Sequence, residues 1–166
     1  PAWLDATHTV DYEVELAVVI GHGGRGITRA AAMGHVYGYT IVNDVTSRSL
    51  QSRHQQWFLG KSLDGFCPMG PALLSADAVP DVSRLRLQTR VNGELRQDAC
   101  VADLIFDIPT LIETLSRGMT LEPGDIIATG TPAGVGMGYT PARYLKRGDR
   151  VAVGIDPIGI LENSVE

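Results

Sequence analysis

The sequence predicts an α+β domain, mostly β, built on mixed sheets with a few short helices. Three observations point there. Apolar residues alternate with period two over Tyr12–Gly21 and again over Arg84–Val91. Asn92-Gly93 stands between two such runs, which is a strong hairpin signal. Only three stretches read as helical, all short, and some of them fall where strand crossovers would be.

Each element follows from local chemistry. Tyr12–Gly21 (YEVELAVVIG) places Tyr12, Val14, Leu16, Val18 and Ile20 on one side of a strand. Glu13, Glu15, Ala17 and Val19 lie on the other. Gly21–Gly26 is a glycine-rich turn, and Thr28 caps a short helix through Ala30–Met33 that ends near Gly34 or Gly38. Tyr39–Val45 (YTIVNDV) is a second strand with a polar end. Ser47–Trp57 reads as a short helix leading into a Gly/Pro-rich loop, Gly60–Pro71. Leu104–Leu115 has the apolar spacing of one helix face, with Pro109 marking its first turn. Glu122–Asp125 is a turn, Ile126–Thr129 a short strand, and Gly130–Gly138 a glycine-rich loop. Arg147–Asp149 turns the chain into Val151–Ile155, and a last strand lies near Ile160. Residues 1–166 thus read as a single domain, with no repeat or linker.

Composition sets limits on function. The 166 residues are 44% hydrophobic and 20% charged, which is globular usage. A net charge of -5 argues against binding a nucleic-acid backbone. It leaves room for an anionic substrate, because a bound cation supplies local positive charge. Cys67 and Cys100 fit no zinc spacing and read as buried thiols in a reducing compartment. No signal peptide or membrane-length apolar run is visible, so a cytoplasmic location is the expectation. The chain begins at Pro1 and enters a strand-like run quickly, so an upstream segment is expected.

Glu13 and Glu15 project from the same strand face beside small apolar residues. Two like charges there repel and are poorly solvated unless a cation or basic residues neutralise them. By spacing alone, an ordinary solvated strand face accounts for them more readily. Asp44 closes the next strand at a loop, where a carboxylate either lines a site or caps a turn. Together the three supply only oxygen, which suits Mg²⁺, Mn²⁺ or Ca²⁺ over zinc. Lys61 can pair with a substrate carboxylate or balance the three acids, and it can equally be a surface lysine. Arg48 and Gln51 share one face of a short helix and can bind a carboxylate or line a polar surface. The Gly130–Gly138 loop lacks a phosphate-loop pattern, although its amides and the Thr131 hydroxyl can approach a small anion. His8, His22, His35 and His54 form no recognisable triad order.

Five segments in order resemble one family. They are DYEVELAVVIG, GYTIVNDVTSR with Gln51, WFLGKSLDGFCPMGP, VNGELRQ and LEPGDIIATGTPAGVG. The chain resembles the fumarylacetoacetate hydrolase family from about Asp11 to the last strand. The resemblance implies a mixed β-roll catalytic domain, usually a homodimer. It implies Mg²⁺ or Mn²⁺ on Glu13, Glu15 and Asp44, and a site lysine at Lys61 that serves catalysis and substrate binding. It also places Arg48, Gln51 and Thr131 at the substrate. Family members act on small 2-oxo or 1,3-dicarbonyl acids. The leading expectation is hydrolysis or C–C cleavage of an acylpyruvate-like acid, through a metal-held substrate and a stabilised enolate. The alternatives are isomerisation or decarboxylation of hydroxymuconate- or oxaloacetate-type acids, or oxo-acid binding with little catalysis. Three departures bear on the reaction. The His and Glu that many hydrolytic members carry on an N-terminal lid would precede Pro1. QDACVADLIF replaces a Gly-Asn-Thr-Ser-type stretch, and Ser49 stands where an acid often follows the arginine.

Overall fold

The central strand of the molecule is hydrophobic on one face and acidic at one end. The computed structural model describes residues 9–166. Strand β1 is Val10–Asp11 and β2 is Val14–Ile20. Strand β3 (Val36–Asn43) pairs antiparallel with β2, and β4 (Thr46–Ser47) returns to pair with β1. Two short helices follow, α1 (Arg48–His54) and α2 (Phe58–Lys61). Strand β5 (Met69–Ser75) joins the far edge of β3. Strands β6 (Arg86–Val91) and β7 (Glu94–Cys100) form a hairpin, followed by α3 (Ile108–Gly118). Strand β8 (Ile126–Ala128) pairs with β2, and β9 (Arg150–Asp156) and β10 (Gly159–Ser164) close the chain.

Two four-stranded sheets result, ordered β5-β3-β2-β8 and β10-β9-β6-β7. Val14, Leu16, Val18 and Ile20 of β2 face Leu87 and Val91 of β6 and Val151, Val153 and Ile155 of β9 in one apolar cluster. Ile112 of α3 joins it, fully buried. Burying one such side chain stabilises the fold by about 1.5–3 kcal/mol, so this cluster is the main brace between the sheets.

The mostly-β, α+β class and its few helices stand as expected. Asn92 (φ 51°) and Gly93 (φ 83°) both take the left-handed conformation that a two-residue hairpin of this hand needs. Asp107 caps α3 by accepting from the Thr110 amide at 3.0 Å, with Pro109 in the first turn.

Four expectations are corrected. The sheets are not mixed: every strand pairing among the described residues is antiparallel. The helical stretches that suggested crossovers instead lie beside antiparallel neighbours. The Thr28-capped helix is a single 3-10 turn over Ala32–His35, because Gly34 and the start of β3 leave too few residues to repay helix nucleation. The Gly60–Pro71 loop hides the end of α2 and the start of β5, which accepts Pro71 because it is an edge strand. Cys67 and Cys100 are exposed, not buried: Cys67 lies in the loop before β5 and Cys100 ends the edge strand β7, both outside the core cluster. His8 lies outside the described residues. No helix among the described residues is long and apolar enough to cross a membrane.

Close approach of β3 and β5 depends on Gly38, where a Cβ would lie 2.2 Å from the Leu74 carbonyl oxygen. Gly38→Ala is expected to cost about 1–3 kcal/mol by overpacking, read as a lower midpoint in urea unfolding with an unchanged m-value.

Candidate metal centre

Strand register brings the three acids together. Val14 of β2 lies opposite Asn43 of β3, so Glu13 and Asp44 meet at the same end of the sheet. The Asp44 amide extends the ladder by donating to the Glu13 carbonyl at 2.8 Å. Asn43 Oδ1 accepts from the Glu13 amide at 3.0 Å, which fixes the backbone from the other direction. Glu15, one pleat further along, points from the same face. Carboxylate oxygens of Glu13, Glu15 and Asp44 all lie within 4.8 Å of one another. Glu13 and Glu15 are only 7% and 4% exposed, so the solvated-face explanation fails.

Lys61, at the end of α2, sits among them. Its Nζ donates to Glu13 Oε2 at 3.0 Å and to Thr46 Oγ1 at 2.9 Å, and it also contacts Asp44 Oδ2. Gly60 makes this approach possible: a Cβ there would lie 2.8 Å from the Gln51 amide nitrogen of α1. Burial alone would favour the neutral amine, but the hydrogen bonds and charges of Asp44 and Glu13 outweigh it and raise the Lys61 pKa.

Arg48 is also at the centre, though it faces inward. Its Nε donates to Asp11 Oδ2 at 3.0 Å, and its Nη1 donates to Gln51 Oε1 at 3.2 Å. Its Nη2 lies 2.5 Å from Glu13 Oε1 as a charge contact without aligned hydrogen-bond geometry. The residue is 7% exposed. Gln51 is therefore a partner of Arg48 in this arrangement. The Thr131 hydroxyl is likewise turned to the protein, donating to the Val14 carbonyl at 2.9 Å and accepting from Gln97 Nε2 at 2.8 Å.

Sequence reasoning missed two residues. Gln97 of β7 is buried and uses its full capacity. Its Oε1 accepts from the Val14 amide and Thr89 Oγ1, while its Nε2 serves Thr131 and the Pro132 carbonyl. Its sequence signal is its place at the end of the VNGELRQ segment, where nothing local assigns it a role. Asp11, fully buried, opens the DYEVELAVVIG segment without any spacing that marks it as a site residue.

Glu15 accepts a hydrogen bond from the Gly130 amide at 2.8 Å. Even so, desolvation pushes its pKa from the ordinary 4.5 up to about 7, with the Asp44 and Glu13 charges adding to the rise. The charge count tests the fit of a metal. Asp11, Glu13, Glu15 and Asp44 carry four negative charges when ionised, and Arg48 and Lys61 carry two positive ones, which leaves two negative. A divalent cation neutralises that remainder, and an all-oxygen donor set suits Mg²⁺, Mn²⁺ or Ca²⁺. A cavity of about 530 Å³ adjoins the centre, sharing Gly130 and Thr131 and lined by Leu87, Leu104, Phe106 and Leu111.

Residues 1–166 match the model of the fumarylacetoacetate hydrolase C-terminal family. The chain belongs to the fumarylacetoacetate hydrolase family. It is 58% identical to an oxaloacetate tautomerase of Bacillus subtilis over 161 residues, 97% of this chain and 54% of that protein. A fumarylacetoacetate hydrolase structure from Exiguobacterium antarcticum superposes with a TM-score of 0.92 at 52% identity, covering 95% of this chain and 57% of that one. A fumarylpyruvate hydrolase from Pseudomonas aeruginosa, solved with Mn²⁺ and pyruvate, gives 0.85 at 36% identity over 93% of this chain and 65% of that one. The chain spans about half the length of the curated relatives it matches. Fumarylacetoacetate hydrolase family membership accounts for the order of all five sequence segments.

Two outcomes test the centre. Glu13→Ala is expected to abolish saturable Mn²⁺ binding in calorimetry, because it removes one of three donors and releases both Lys61 and Arg48. The second outcome is a pH dependence. The folded chain keeps the Glu15 proton up to about pH 7, while the unfolded chain loses it near 4.5. Glu15 therefore makes ion-free protein less stable as pH rises across that window. Urea unfolding in chelator should show this fall, Glu15→Gln should flatten it, and Mn²⁺ should offset it at the upper end.

Proposed function

We propose that this chain is the catalytic part of a divalent-cation-dependent enzyme that moves a proton on a small 2-oxo acid, as a keto–enol tautomerase or isomerase. One observation carries the reading: a buried three-carboxylate centre with Lys61 seated in it, in a chain 58% identical to an oxaloacetate tautomerase. That identity supports reading isomerisation ahead of the hydrolysis that the sequence motifs put first.

Glu13, Glu15 and Asp44 would hold Mg²⁺ or Mn²⁺. When bound, the cation supplies Lewis-acid polarisation of a 2-oxo group. The chain's own residues supply the rest. Lys61 holds its proton while its Nζ is tied to Glu13 and Asp44. With Glu13 and Asp44 also holding a cation, Lys61 would be held less strongly by them and would release its proton more readily. Lys61 would then give its proton to the C2 oxygen and, as the neutral amine, take the proton from C3 of the 2-oxo acid, which leaves it protonated again and needs no co-reactant. Burial of the carboxylates keeps competing water away from that transfer.

Hydrolytic cleavage of an acylpyruvate is the second reading. It is favoured by the likeness to the fumarylpyruvate hydrolase and by the apolar cavity next to Thr131, which suits an acyl group. It requires a base for water in addition to Lys61.

Oxaloacetate keto–enol exchange followed by ultraviolet absorbance should be accelerated by the Mn²⁺-loaded chain. Lys61→Ala should lower kcat by about 10²–10⁴-fold, the usual contribution of a positioned proton-transfer group. Cleavage of an acylpyruvate without acceleration of oxaloacetate exchange would reverse the order of the two readings.

A further inference from the structure

We infer that Asp11 is a positioning residue for the cation site: it sets the Arg48 guanidinium against Glu13 and ties the glycine loop after β8 to the same point. The inference rests on the carboxylate centre being a cation site.

Asp11 is fully buried, and every hydrogen bond it accepts has a structural destination. Oδ1 accepts from the Tyr12 amide at 3.0 Å and the Gly136 amide at 2.6 Å. Oδ2 accepts from the Met137 amide at 3.0 Å and from Arg48 Nε at 3.0 Å. Four donors converge on one carboxylate, three from the backbone and one charged. Arg48 is thereby shared between two acids, Asp11 through Nε and Glu13 through Nη2. Sharing sets how strongly Arg48 competes with a metal ion for Glu13. With the Asp11 carboxylate holding Nε, part of the guanidinium charge is already satisfied and Glu13 Oε1 is held less tightly by Nη2. Without it, Arg48 turns wholly to Glu13 and holds that oxygen against the cation.

The loop enters through Gly136. A Cβ there would lie 2.7 Å from Asp11 Oδ1 and 2.5 Å from the Arg143 carbonyl oxygen. Tyr12 Oη also donates to the Gly134 carbonyl at 2.9 Å, so two adjacent residues, Asp11 and Tyr12, grip the same loop. The path from loop to centre is therefore Gly136 amide, Asp11, Arg48, Glu13, each step a named contact. Arg48, in this arrangement, acts on the centre through Glu13 rather than on a substrate carboxylate.

The test is Mn²⁺ affinity measured by calorimetry on the full chain without substrate. Wild-type protein is read first, and failure to bind Mn²⁺ overturns the cation-site reading and this inference with it. Given binding, Asp11→Asn keeps the side-chain size, removes the charge and presents an amide N–H₂ toward donors. It is expected to weaken Mn²⁺ binding by about 10–100-fold, the usual effect of altering a residue behind a ligand. Gly136→Ala reaches the same contact from the loop and should weaken binding in the same direction. It carries the test if Asp11→Asn does not fold. The double variant should lose no more than Asp11→Asn alone, because both act on one path. Ile112→Val, a change in the apolar core on α3, controls for lost stability and should leave Mn²⁺ affinity unchanged. Folded Asp11→Asn or Gly136→Ala protein with wild-type Mn²⁺ affinity overturns the inference, as does an equal loss in Ile112→Val.

Discussion

The antiparallel register of β2 against β3 is the constraint on which the centre depends. Val14 opposite Asn43 places Glu13 beside Asp44 and leaves Glu15 one pleat away on the same face. A slip of one residue would turn Glu13 and Glu15 into the apolar cluster and Val14 and Leu16 out of it. Such a slip would bury two carboxylates among aliphatic side chains while exposing two core residues. The apolar face of β2, packed against β6 and β9, therefore holds the acidic face in position. Core packing and site geometry are here two consequences of one strand pairing.

That pairing creates an electrostatic problem that the surrounding elements solve only in part. Three carboxylates within 4.8 Å, two of them almost fully buried, repel one another in a region of reduced solvent screening. Arg48 from α1 and Lys61 from α2 supply two positive charges, and Gly130 supplies an amide. The raised pKa of Glu15 records what remains uncompensated. Both cations come from short helices that pack closely at Gly60, so the geometry of α1 on α2 sets how much of the charge is met. A protein selected only for stability would gain by replacing such a cluster with apolar residues of similar volume. The cluster has the composition and spacing of a group that could hold a cation.

The legibility of these features in the sequence follows their range. Period-two alternation, the Asn92-Gly93 turn and the helix start at Pro109 act over a few residues, and each appears where local chemistry places it. Strand β5 was hidden because Gly70 and Pro71 read as loop, and only its position at a sheet edge makes them acceptable in a strand. The crossover signals misled because a short helix looks the same whether it links parallel strands or lies beside antiparallel ones. Cys67 and Cys100 were misplaced because a thiol carries no pattern that separates core from loop. Asp11 and Gln97 escaped for a related reason: their partners lie more than thirty residues away, at Gly136, Arg48 and Thr131.

By itself the sequence determined the mostly-β class and the family, and it singled out Glu13, Glu15, Asp44 and Lys61, which the fold brings together. Those follow from residue type, short-range spacing and the order of segments. Tertiary structure decided which way the neighbouring polar groups point. The hydrogen bonds of Arg48, Gln51 and Thr131 run to Asp11, between Arg48 and Gln51, and to the Val14 carbonyl of β2. Side-chain direction depends on which donor and acceptor is nearest after folding, and no local pattern in the chain encodes that distance.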